Sequence, residues 1–169
     1  MERNITLIGM MGSGKTTIAK ELATRLPEYK LIDIDAEIEK SSGKKISEIF
    51  LKYGEHHFRE LESAKIKLYL KQENQIISAG GGAFENPDNR KLFLENSTVI
   101  FLKASAETIY ERIKNETHRP LLKKNFSLEK IQHILSLREQ NYAKANHIID
   151  TDKKSPYNIV EEILGVINA

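Results

Sequence analysis

The stretch Thr6–Leu22, TLIGMMGSGKTTIAKEL, decides how the rest of the chain is read. A short apolar run closes on Gly9; Gly12 and Gly14 follow, and Lys15, Thr16 and Thr17 then open a segment with helical spacing. Gly9 to Thr16 fits the phosphate-loop pattern G-x-x-x-x-G-K-(S/T). The physics asks for these residue types. Glycines permit unusual dihedrals and let backbone N–H groups crowd around an anion. The helix that follows adds its positive N-terminal end. Lys15 supplies a mobile cation for the outer phosphates, and Thr16 a hydroxyl for Mg²⁺. Gly12, Ser13, Gly14, Lys15, Thr16 and Thr17 are therefore the candidate nucleotide-binding residues, with ATP the expected nucleotide. A chance glycine-rich turn is the bland alternative; the position between a strand and a helix speaks against it.

Working outward, the chain has 169 residues, which suits one domain with a real core. Apolar residues make up 40% and charged residues 30%, as in ordinary soluble globular proteins. A net charge of +2 is too small for bulk nucleic-acid binding. There is no cysteine, so disulfides and thiolate metal sites are excluded. The first apolar run is too short for a signal peptide, and no apolar stretch approaches a membrane span. A cytoplasmic monomer without nucleic-acid or membrane partners is the expectation.

Short apolar runs alternate with helix-patterned segments. Strands are predicted at Asn4–Ile8, Lys30–Ile32, Gln75–Ser78, Thr98–Leu102 and His147–Ile149. Helices are predicted at Lys15–Leu26, Asp35–Lys40, Ser47–Lys52, Glu55–Lys71, Asn89–Glu95, Ala106–Lys114, Leu128–Ala145 and Pro156–Ile167. Pro27 stops the first helix, and Ser155–Pro156 reads as a cap and first-turn proline. Strands joined by helical crossovers give a parallel sheet covered on both faces.

Further candidates cluster at the strand ends. In LIDIDAEIEK, Asp33 and Asp35 are two apart and share a face if the strand end is extended. One suits Mg²⁺ and its waters, the other a substrate hydroxyl proton; capping of a helix by Asp35, with Asp33 solvated, is the alternative. Arg59 and Glu62 have the spacing of an ordinary surface pair, and His56 and His57 lack metal-ligand spacing. Gly80, Gly81 and Gly82 directly follow a strand, where consecutive glycines let the backbone approach a ligand. That strand ends in Ser78-Ala79 without an acidic metal partner, which leaves Asp33 for the metal. Arg112, Lys114, Arg119, Lys123 and Lys124 surround a basic segment suited to closing over phosphates. Arg138 and Tyr142 lie one helical turn apart; a carboxylate clamp and plain packing both remain open for them.

Taken together, GMMGSGKTT, DIDAEIE, FRELE, SAGGGA, RPLL and LREQNYAKA resemble the shikimate kinase family, over nearly the whole chain and in the family's order. The resemblance implies a P-loop NTP hydrolase-like, three-layer α/β/α fold with a five-stranded parallel sheet ordered 2-3-1-4-5. It implies one domain over 1–169, with a substrate-binding segment over 33–62 and a mobile lid over 113–125. The implied activity is ATP-dependent phosphorylation of the 3-hydroxyl of shikimate, in aromatic amino acid biosynthesis, with Mg²⁺. Lys15 would hold phosphates, Thr16 and Asp33 the metal, and Asp35 the substrate hydroxyls as candidate base. Arg59 and Arg138 would clamp the carboxylate, Gly80, Gly81 and Gly82 border the substrate, and Arg119 swing in from the lid. Arg112 would lie against adenine, with Lys153 or Lys154 where relatives often carry arginine. The rival within enzymes is another small-metabolite kinase, such as a gluconate kinase.

Overall fold

The computed structural model describes residues 3–114 and 127–169. Five strands, β1 (Asn4–Ile8), β2 (Lys30–Asp33), β3 (Gln75–Ser78), β4 (Ser97–Lys103) and β5 (His147–Asp150), form one parallel sheet in the order β2-β3-β1-β4-β5. The helices are α1 (Lys15–Arg25), α2 (Ile34–Ser42), α3 (Ile46–Tyr69), α4 (Pro87–Asn96), α5 (Ala106–Ile113), α6 (Leu128–Tyr142) and α7 (Pro156–Ile167). The strand order and three-layer architecture agree with the expectation.

Neighbouring residues on the inner strands go to opposite faces, as pleating demands. Leu7, Ile76 and Ile100 pack with Ile18 and Leu22 of α1 and with Ile159 and Ile163 of α7. Ile8, Ile77 and Phe101 pack on the other face with Ile38, Phe58, Ile66 and Phe93 from α2, α3 and α4. The inner strands are therefore near-continuous apolar runs, because both of their sides need cover.

Helix ends follow their caps. Ser155 accepts from Asn158 N at the start of α7, as its sequence announces. The segment after β2 differs from expectation. Asp33 is the N-cap of α2 and accepts from Ala36 N at 3.1 Å, so Asp35 lies in the first helical turn rather than on an extended strand end. The cap is Asp33, not Asp35. The two predicted helices on either side of Gly54 join into α3, with Gly54 alone at φ 83° and ψ 171° marking the break between them.

Register decides where the site falls. Leu7 and Asp33 both align with Ser78, and Ile8 aligns with Phe101. The carboxyl ends of β2, β3 and β1 thus open side by side on one edge of the sheet, the edge where α/β proteins bind ligands.

Candidate active site

The phosphate loop leaves β1 at Gly9 and enters α1 at Lys15. Gly12 has φ 80°, and a Cβ there would lie 2.7 Å from Ile113 Cγ2. Both the dihedral and the approach to α5 demand glycine. No side chain caps α1, so its first N–H groups remain as donors at the cavity edge lined by Gly14, Lys15, Thr16 and Thr17. Lys15 is only 9% exposed, and its Nζ donates to the carbonyls of Gly9 (2.6 Å) and Met10 (3.0 Å). Ser13, predicted with the nucleotide-binding residues, is buried; its Oγ has no hydrogen-bond partner among the described residues.

A cavity of about 920 Å³ runs from this loop to a second compartment. The triple glycine shapes that compartment by close approach. A Cβ on Gly80 would lie 2.9 Å from Glu62 Oε2 and 3.3 Å from Asp35 Oδ1. One on Gly81 would lie 3.1 Å from Arg138 Nη1, and one on Gly82 2.5 Å from Arg59 Nη2. Three successive positions therefore press against an acidic pair, one guanidinium and then another. Ile46, Phe50 and Phe58 supply an apolar wall, with the two phenyl rings 4.8 Å apart.

Glu62 is the residue sequence reasoning placed wrongly. Its spacing from Arg59 suggests a surface pair, but Glu62 is 1% exposed and lines the cavity. Its Oε1 accepts from Arg59 Nη1 at 2.8 Å, while Oε2 is buried with no hydrogen-bond partner among the described residues. Burial holds the Glu62 carboxyl above the usual carboxylate range, with Asp35 adding to the rise against the pull of Arg59 and Arg138. Burial works against the charge on Arg59, but Glu62 and Glu55 outweigh it and raise its pKa further. Arg59 thus stays a cation. The only sequence signal for Glu62 is its place in the FRELE stretch.

The other predicted residues divide. Asp33, Asp35, Arg59, Gly80, Gly81, Gly82, Arg112 and Arg138 line the same cavity as Lys15 and Thr16. Arg112 Nη1 donates to the Gly12 carbonyl at 3.1 Å, which fixes it beside the loop. Lys153 is exposed, at φ 57°, and does not line the cavity; Lys154 pairs with Glu162 at 2.7 Å. Arg119 and nearly all of the expected lid, 113–125, lie outside the described residues. His56 and His57 face Glu60 at 3.4 and 3.9 Å on an exposed surface.

A parallel sheet of this order, with a phosphate loop facing a compartment of paired guanidiniums and carboxylates, defines a P-loop kinase of the nucleoside-monophosphate-kinase type. Comparison with known proteins gives the finer assignment. A family model described as shikimate kinase matches residues 11–168. The shikimate kinase of Persephonella marina is 47% identical over 165 residues, covering 98% of this chain and 99% of that protein. That of a Sulfurihydrogenibium species is 45% identical, covering 98% of each. A solved structure, shikimate kinase from Acinetobacter baumannii in complex with shikimate, superposes with a TM-score of 0.95 at 31% identity, over 99% of this chain and 94% of that one. The chain belongs to the shikimate kinase family.

Proposed function

We propose that this cavity transfers the γ-phosphoryl group of ATP to the 3-hydroxyl of shikimate, giving shikimate 3-phosphate and ADP on the route to the aromatic amino acids. One observation carries the reading beyond family membership. The two guanidiniums and the Asp35 carboxylate converge on the triple glycine, across a single cavity from Lys15. A ring acid bearing hydroxyls matches that arrangement. Arg59 and Arg138 offer planar forks to its carboxylate, Asp35 an acceptor to a hydroxyl, and the Phe50–Phe58 wall a surface for ring carbon.

The residues divide the work. The loop N–H groups and Lys15 hold the phosphates, with the Lys15 ammonium exchanging its Gly9 and Met10 carbonyls for phosphate oxygens. Asp35 takes or orients the proton of the attacking hydroxyl. Gly81 and Gly82 lend backbone N–H groups to the carboxylate end. Little covalent help is needed, because phosphoryl transfer depends chiefly on alignment and charge neutralisation.

Mg²⁺ fits the donors present. Thr16 and Asp33 both line the cavity beside Lys15 and offer hard oxygen atoms. Among the described residues no group of three or more His, Asp or Glu side chains forms a metal cage. A few protein oxygens completed by phosphates and waters is what Mg²⁺ prefers. When bound there, the ion neutralises charge on the transferring phosphates.

The enzyme acts as a cytoplasmic monomer in this reading. Among the described residues no helix is long and apolar enough to cross a membrane. The test is ADP release, coupled to a spectroscopic readout, with shikimate and gluconate side by side. Turnover of shikimate alone is expected; turnover of gluconate without shikimate would overturn the assignment.

A further inference from the structure

We infer that Tyr142 is a positioning residue: its hydroxyl fixes the Gly81–Gly82 peptide beside Arg138 for the substrate carboxylate. The inference rests on the function proposed above and goes beyond it, because Tyr142 does not line the cavity.

Glycines have no side chains for packing to lock, so the orientation of the Gly80–Gly82 backbone depends on what holds its carbonyls. Two are held inside the loop: Ala83 N donates to Gly80 O at 3.0 Å, and Glu85 N to Gly82 O at 3.2 Å. The third is held from outside, by the Tyr142 hydroxyl donating to Gly81 O. The peptide is planar and trans, so the carbonyl of Gly81 and the N–H of Gly82 point in opposite directions. Drawing the carbonyl toward Tyr142 therefore fixes the Gly82 N–H in the opposite direction, at a residue that lines the cavity.

Arg138, one turn earlier on α6, lies near enough for its charge to act on the same phenol, against the effect of burial. Arg138 Nη1 in turn sits where a Gly81 Cβ would come within 3.1 Å. One hydroxyl thus holds the loop at the residue that one of the two guanidiniums approaches. A neighbouring contact ties the far end of the loop to the same helix, Asn141 Nδ2 donating to Glu85 Oε2 at 3.1 Å. Packing alone does not require the hydroxyl. The Tyr142 ring is fully buried and stacks on Phe101 with centroids 4.7 Å apart, and phenylalanine fills the same space.

The test compares wild type, Tyr142→Phe and Phe101→Leu in the full chain. KM for shikimate, KM for ATP, kcat and the melting midpoint are measured for each. Tyr142→Phe should raise the shikimate KM by roughly tenfold, the cost of one mis-set charge-assisted contact. Its ATP KM should stay within about twofold, with a loss of only about 5 °C in midpoint. Phe101→Leu disturbs the ring contact and keeps the hydroxyl. It should lower the midpoint and leave the shikimate KM near wild type. An unchanged shikimate KM in Tyr142→Phe, an equal rise for both substrates, or an equal rise in Phe101→Leu would each overturn the inference. A wild-type chain with no turnover of shikimate would overturn the site reading itself. Active wild type with unaffected Tyr142→Phe overturns only the role of the hydroxyl.

Discussion

Lys15 rests on two backbone carbonyls with most of its surface out of water. A nearly buried ammonium is costly without hydrogen-bonding or anionic company, and a bound phosphate supplies both. Lys15→Ala should therefore lower kcat by roughly 100-fold or more, while circular dichroism stays that of the wild type. Near-normal turnover would remove the phosphate role from this loop. Arg138 makes the converse case. Arg138→Ala should weaken shikimate by roughly 2–5 kcal/mol if the charge pair is desolvated, with ATP affinity nearly constant. Calorimetric titration of each ligand checks this, and equal losses would point to misfolding. At this scale the glycine loop was legible because its chemistry is consecutive in the chain. The depth of Glu62 was not: spacing alone gives a pair with Arg59, while its burial comes with neighbours distant in the chain, Gly80 at a strand end among them.

Between β3 and α4 the backbone comes so close to its neighbours that a side chain at any of three positions in a row would press on a charged group of the site. Gly82 is the most informative of these. A methyl there would lie 2.5 Å from Arg59 Nη2 and 2.8 Å from its Cζ. The guanidinium is the end of a flexible chain, so it yields before the backbone does. Gly82→Ala should raise the shikimate KM about tenfold or more, as expected for a displaced charged hydrogen-bond donor. Thermal stability and the ATP KM should change little. A variant with unaltered shikimate KM would show that Arg59 does not need this place. Elements themselves were largely readable from pattern, with errors at the ends. The β2–α2 junction shows why. Asp33 and Asp35 are both good early-helix residues, and sequence does not reveal which of them caps. The glycine just before EHHFRELE marks a break legible in sequence, although at Gly54 the chain passes between the two helical segments without leaving a loop.

Across the molecule, two apolar layers flank the sheet, and one polar phenol is enclosed in them. Burial pushes the Tyr142 hydroxyl up to about 12 from an ordinary value of 10.0. The folded state thus keeps a proton that the unfolded chain gives up first. This contribution is intact below pH 10 and is lost as pH rises from 10 toward 12, at roughly 1.4 kcal/mol per unit. Tyr69, raised to about 12 chiefly by its hydrogen bond to Glu37, acts in the same direction. Urea midpoints of wild type and Tyr142→Phe should therefore converge as pH climbs through this window; parallel curves would contradict it. The sheet order was not derivable from periodicity, which fixes which faces are covered but not which strands are neighbours. Family resemblance implies the order, and the structure has it. That order has a consequence for biosynthesis. β1 is the first of the five strands to be made yet lies at the centre of the sheet, flanked by β3 and β4. The nascent chain carries its phosphate loop before it has the two flanking strands that hold it rigid, so a firm grip on nucleotide must wait until Lys103 has been made.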